Sequence, residues 1–170
     1  MATSEDIIRW HRVFGRSEAE PDRAELARHL GNLFGQRTIR FHTDKEGWFA
    51  AEVSPTGFAA LWPASAQPWR LNRYLASEEG IRQELNSWAA WVETAEGNPH
   101  RDRLMQHMIN TKQVFTFPLK DDFFDDFDAD DKFDPWCHDF CRLLARQTEG
   151  IYQFDGEGIF ASDGSLLVAE

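Results

Sequence analysis

The chain from residue 38 to residue 62 reads TIRFHTDKEGWFAAEVSPTGFAALW, and here the hydrophobic pattern changes to a period of two. Polar and apolar side chains alternate over residues 38–42, as in a half-buried strand. After a turn, residues 48–53 return as a second strand, and another turn leads to a third strand at 58–62. This stretch therefore predicts an antiparallel meander.

Two helices are predicted before the meander. The first extends from a cap at Thr3 or Ser4 to Gly15, and the second opens at Pro21. In both segments apolar residues recur at spacings of three and four, which places them on one side of a helix.

The rest of the chain is predicted to be mostly helical and then to return to strands. The elements are a helix at 78–95 capped by Ser77, a helix after Asn98-Pro99, a strand at 112–117, a helix at 134–148, and three short strands between 151 and 168. Short turns join the strands within the early set and within the late set, so the sheet should be antiparallel or mixed. With 170 residues, the chain predicts a single α+β domain over residues 1–170, with two meander sets and about five helices.

Composition restricts the classes of function. The chain has 18 Lys and Arg against 29 Asp and Glu, a net charge of −11, which disfavours nucleic acid and anionic membranes as partners. No apolar run approaches the ~20 residues that span a bilayer, and the opening MATSED lacks the features of a secretory signal. The two cysteines, Cys137 and Cys141, lie four apart in a predicted helix, which suits reduced thiols. We therefore expect a cytoplasmic protein.

Motifs of catalysis and of cofactor binding are missing from the sequence. It contains no glycine-rich phosphate loop, no Gly-x-Ser-x-Gly elbow and no His-Glu-x-x-His helix. Cys137, His138 and Cys141 lack the second pair of ligands that a zinc site needs. We therefore predict a non-enzymatic protein with no catalytic residues, no cofactor and no metal.

The most unusual stretch is Lys120–Asp134, KDDFFDDFDADDKFD, which we call the acidic segment. It contains eight Asp, two Lys and four Phe. Asp126, Asp128 and Asp130 match the first three ligand positions of an EF-hand loop, but Asp131 replaces the glycine at its sixth position and Cys at 137 the glutamate at its twelfth. Two interpretations remain besides a looser calcium site. Either the Phe rings fix a hydrated loop to the core, or the segment is a recognition surface.

The recognition surface is the interpretation that we adopt. Crowded carboxylates repel one another, and a basic protein partner would relieve the repulsion and speed association. The predicted contact residues are Asp121, Asp122, Phe123, Phe124, Asp125, Asp126, Phe127, Asp128, Asp130 and Asp131. An inhibitor or immunity protein that neutralises a basic partner would fit. The alternative is a small-molecule or carbohydrate-binding protein, or an enzyme, with a pocket lined by tryptophans such as Trp48, Trp62, Trp69 or Trp91.

Overall fold

The structure, a computed structural model, describes residues 7–34, 37–55, 69–120 and 129–170. The strands are β1 (Ile7–Gly15), β2 (Arg37–Asp44), β3 (Gly47–Pro55), β4 (Trp69–Leu75), β5 (Gln113–Lys120), β6 (Gly150–Phe154), β7 (Gly158–Phe160) and β8 (Leu166–Ala169). The helices are α1 (Arg23–Phe34), α2 (Ile81–Glu93), α3 (Arg101–Asn110) and α4 (Ala129–Thr148). The predicted α+β class is confirmed.

All eight described strands form one antiparallel sheet in the order β2-β3-β4-β5-β1-β6-β7-β8. The early strands lie at one edge and the late strands at the other. The long strands β5 and β1 join them, and β1 pairs with β5 on one side and with β6 on the other. Strand β1 therefore lies inside the sheet, between β5 and β6. Its first and last residues lie at opposite ends of the sheet along the strand direction.

Each face of the sheet has its own hydrophobic core. On one face, α1 and α4 cover a core that includes Trp48, Trp69 and Phe140. On the other face, α2 and α3 cover a second core that includes Phe14 and Leu85. Many of the aromatic residues that the structure describes are therefore buried in the cores on the two faces of the sheet. None of the described helices combines the length and the apolar character that crossing a membrane requires.

The prediction of a helix before Gly15 is wrong, because residues 7–15 are strand β1. Val13 belongs to the core under α4, and Phe14 to the core under α2 and α3. A central strand that is buried on both faces loses the alternation of polar and apolar residues. Its apolar residues Ile7, Trp10 and Phe14 fall at spacings of three and four, and so they imitate one face of a helix. The described residues contain four helices rather than about five.

Other boundaries differ from the sequence-based predictions. The helix expected after Ser77 begins instead at Ile81, after Gly80, whose positive φ of 84° suits glycine. The helix expected at Asp134 begins five residues earlier, at Ala129, and Pro135 lies inside it. The third described strand of the early set is β4, which begins at Trp69, and the strand predicted at 58–62 lies outside the described residues.

Candidate functional site

The predicted contact residues of the acidic segment fall mostly outside the part of the chain that the structure describes. This applies to 121–128, which follow the end of β5. Asp130 and Asp131 belong to the first turn of α4. Since Lys120 pairs with Ile7 in the sheet, the segment leaves the sheet at the beginning of β1. The structure therefore describes the chain on both sides of residues 121–128, at Lys120 in β5 and from Ala129 in α4.

The described arginines beside these junctions are already paired with carboxylates. Arg9 forms ion pairs with Asp134, the last residue of the acidic segment, and with Glu157. Arg12, three residues along the same strand, donates to Asp155 across 2.7 Å and lies 3.7 Å from a carboxylate oxygen of α2. Both β1 guanidinium groups are therefore engaged by acids other than the predicted contact residues.

A cavity of about 480 Å³ lies at the opposite end of β1, and we call it the arginine cavity. It is lined by Arg16, Arg103, Leu104, Gln106, His107, Ala145, Arg146, Glu149, Gly150, Ile151, Ala161, Ser162 and Leu167. Arg16 follows the end of β1, Arg103 lies in the first turn of α3, and Arg146 lies in the last turn of α4. Three separate elements thus bring three cations to one concave surface.

The charges of the arginine cavity are not balanced by nearby acids. Arg16, Arg103 and Arg146 have no carboxylate within ion-pair distance among the residues that the structure describes. Arg103 donates to Nδ1 of His100 across 3.2 Å, which leaves its charge uncompensated. Glu149 is the one acidic residue in the lining. The cavity therefore carries a positive charge on a protein whose net charge is −11.

His107 connects the arginine cavity to the core. Its side chain is buried, and its Nε2–H donates to the carbonyl of Phe14 across 2.8 Å. Burial lowers the pKa of His107, and the charges of Arg16 and Arg103 lower it further, while the bond to Phe14 opposes them. His107 is therefore neutral at pH 7, and the positive charge of the cavity comes from its arginines.

The backbone at the edge of the arginine cavity is strained. Glu149 follows α4 with a φ of 53°, in the left-handed region that glycine normally occupies at the end of a helix. The next residue, Gly150, pairs with Gly15 in the sheet, and a Cβ atom at Gly150 would approach the Phe14 carbonyl oxygen to 2.8 Å. The chain thus reverses tightly from α4 into β6 beside the cavity.

A second cavity, of about 460 Å³, opens over β3 and β4. It is relevant to the alternative prediction of a pocket lined by tryptophans. Trp48, Phe49 and Tyr74 contribute aromatic lining, and Arg70 and Asn72 contribute polar groups. Of the four tryptophans suggested by the sequence, Trp48 and Trp69 are fully buried core residues, Trp91 is half-buried on α2, and Trp62 lies outside the described residues. Of the three of these tryptophans that the structure describes, only Trp48 borders this cavity.

The cysteines and the central histidines lie in the core. Cys137 and Cys141 lie in α4 as free, buried thiols, and burial raises the pKa of both. His11 is fully buried, stacks on Phe117 at 4.7 Å and meets Phe154 edge-on at 4.5 Å. Within the described parts of the chain, no three His, Cys, Asp or Glu side chains gather as a metal would require.

The arginine cavity could not be recognised in the sequence, because the excess of acid over the whole chain conceals a local group of arginines. One signal was present for Arg103. No acidic residue lies three or four positions before or after it on its helix, whereas a surface arginine is commonly matched by an acid at that spacing. No such signal joins it to Arg16 or Arg146, which are distant in the sequence.

Comparisons with known proteins add no assignment to this geometry. No family model matches the chain, and the searches of curated proteins and of solved structures return no match.

Proposed function

We propose that this protein is a non-enzymatic binding module that captures a basic protein partner through the acidic segment. The observation that carries the proposal is the concentration of charge, since eight of the 29 acidic residues lie within Lys120–Asp134. Carboxylates this close repel one another within the screening length of ~8–10 Å, and a cationic partner would remove that repulsion. Aromatic side chains among the charges would supply the buried anchors of an interface.

The pairing of the β1 arginines supports this function. Arg9 is engaged by Asp134 and Glu157, and Arg12 by Asp155. These two guanidinium groups are therefore not available to neutralise residues 121–131. Within the segment itself eight carboxylates face two lysines, and the remaining negative charge would attract a basic partner.

The form of this function that we propose is a cytoplasmic inhibitor of the immunity type. In it, the carboxylates of the acidic segment would occupy the places that phosphates take on a cationic toxin or nuclease. Binding would be rapid at low salt and slow at high salt, because long-range attraction steers the encounter. Nucleic acid and anionic membranes are not expected to bind this segment, since both would meet charge of the same sign.

The experiment compares two variants with the same change in net charge. In the first, Asp121, Asp122, Asp125 and Asp126 become Asn. In the control, four exposed acids elsewhere are neutralised, namely Glu79, Glu93, Glu96 and Asp102. A basic protein captured from the native lysate is purified, and its association rate is measured by surface plasmon resonance at low and at high salt.

We expect the first variant to associate about tenfold more slowly at low salt than the control, with both variants folded. If the two variants slow association equally, net charge rather than the acidic segment is responsible, and the proposed site is wrong. If neither slows it and salt has no effect, the proposed function itself is wrong.

The second cavity supports a second candidate function, the binding of a small molecule or a carbohydrate over β3 and β4. Its volume is within the range of ligand sites, ~300–1,000 Å³, and its lining joins aromatic rings to a few polar groups. Trp48 borders it and would report binding by fluorescence. At least one member of a saccharide panel should then change the tryptophan emission of the native protein. Tyr74→Ala should abolish this change, because Tyr74 lines the cavity.

A further inference from the structure

We infer that the arginine cavity is a binding site for a small organic phosphate whose phosphate group is carried on a compact apolar body. The site is at the opposite end of β1 from the acidic segment. Lys120, where the acidic segment begins, pairs with Ile7, and the nine residues of β1 at about 3.3 Å each separate that junction from the cavity by roughly 25–30 Å. The inference is thus independent of the proposed capture of a basic protein.

The first argument is the uncompensated charge. Arg16, Arg103 and Arg146 form no ion pair within the described residues, and the cavity brings these three arginines together with a single carboxylate, that of Glu149. Like charges brought to one concave surface repel one another, and an anion held between them turns that repulsion into attraction. The arrangement is therefore more stable with an anion bound.

The second argument is the chemistry of the donors. Guanidinium groups bind phosphate through paired N–H donors, and several of them around one group match its three oxygens. Ser162 adds a hydroxyl to the lining. Glu149 opposes an anion, but three arginines outnumber it, and neutral His107 does not change the balance. The cavity thus favours a dianion over a neutral ligand.

The third argument is the apolar floor beneath the charges. Leu104, Ile151 and Leu167 line the cavity and belong to the core under α2 and α3, so their positions are fixed by packing. An inorganic ion would leave this surface in contact with water. A ligand that joins a phosphate to an apolar body would cover the surface and gain about 25 cal/mol for each Å² buried. The volume of about 480 Å³ accommodates such a body.

The test uses phenyl phosphate as the probe, with inorganic phosphate and phenol as its separate halves. Binding is measured by isothermal titration calorimetry at pH 8, where the monoester is a dianion because its second pKa is near 6. The variant carries Arg16→Gln and Arg146→Gln. The matched control carries Arg28→Gln and Arg40→Gln, two exposed arginines that do not line the cavity. Thermal unfolding verifies that both variants are folded.

We expect phenyl phosphate to bind the native protein at least about tenfold more tightly than either half alone. The Arg16 and Arg146 variant should lose at least about tenfold in affinity and the control less than about twofold. Equal losses in both variants would show that the phosphate responds to overall charge, and the inference would be overturned. Binding of phenol, or of inorganic phosphate, as strongly as phenyl phosphate would overturn it as well.

The same measurement separates this inference from the proposed function. Replacing the four aspartates of the acidic segment by Asn should leave phenyl phosphate affinity within about twofold, because screening at ~8–10 Å isolates sites this far apart. The Arg16 and Arg146 variant should in turn capture the basic partner normally.

Discussion

Nε of Arg73 donates a hydrogen bond of 2.7 Å to Oε1 of Gln113, and both side chains are buried. The guanidinium group also donates to the carbonyl of Trp48 across 2.9 Å, and the amide of Gln113 donates to the carbonyl of Ala19 across 2.9 Å. The pair therefore links β3, β4 and β5 to the chain that leads into α1. Burial lowers the pKa of Arg73, although nearby carboxylates, among them Glu20, oppose the shift.

Replacing Gln113 by Leu should destabilise the protein strongly. The change leaves a donor of buried Arg73 and the Ala19 carbonyl without a partner, and each such loss costs about 1–3 kcal/mol. We expect the free energy of unfolding in urea to fall by about 3 kcal/mol. The control is Gln83→Leu at an exposed position of α2, which should change it by less than about 0.5 kcal/mol. Equal effects would contradict the role assigned to the pair.

His11 should make the protein less stable in mild acid. Burial lowers the pKa of His11 from 6.5 to about 3, and Arg9 adds to the shift while a hydrogen bond with the backbone of Phe117 opposes it. Between these values the unfolded chain binds a proton that the folded protein does not, so stability falls as the pH decreases. The contribution is about 1.4 kcal/mol per pH unit below pH 6.5.

The variant His11→Phe keeps an aromatic ring against Phe117 and removes the titration. Urea unfolding at pH 7, 6 and 5 should show a shallower loss of stability in this variant than in the native protein. His107, whose pKa is also lowered, retains a slope of the same sign. A native slope that survives in His11→Phe would mean that His11 does not titrate as the buried position requires.

Glu149 allows strain and charge to be separated at the arginine cavity. Glu149→Gly should relieve the left-handed backbone and raise the free energy of unfolding by about 0.5–1 kcal/mol, because the cost of this conformation exceeds the entropy that glycine adds. Glu149→Gln keeps the strained backbone and should leave stability unchanged. Both variants remove the one acidic residue from the lining, so both should bind phenyl phosphate more tightly than the native protein.

The measurements for Glu149 are thermal unfolding and isothermal titration on the same samples. Tighter binding of phenyl phosphate in Glu149→Gly alone would show that relief of backbone strain, and not loss of the carboxylate, raises the affinity. Weaker binding in both variants would show that the carboxylate assists the ligand, which the charge argument does not allow.

Cys137 and Cys141 should resist thiol reagents in the folded protein. Both are fully buried, and burial raises the pKa of each, so the reactive thiolate is scarce and shielded. We expect less than about one tenth of the thiols to react with a disulfide reagent at pH 8 within the time in which both react in urea. Rapid reaction of either cysteine in the native state would place it at the surface instead.

Several elements could be predicted from the sequence because local periodicity decides them. In α1, Leu26 and Leu30 lie one helical turn apart and share one face, and β2 and β3 alternate across a short turn. The short strands at the end of the chain were recognised in the same way. The central strand β1 was not, because burial on both faces removes the alternation that identifies a strand.

The sequence by itself determined the helical and strand periods over most of the chain, the charge of −11 and its concentration near residue 120. The tertiary structure alone decided that Arg9 pairs with Asp134 and that Arg16, Arg103 and Arg146 share a cavity. The physical reason is that periodicity reports which side of an element is buried, whereas the order β5-β1-β6 decides which elements meet. Residues more than 40 positions apart become neighbours only when that order is set.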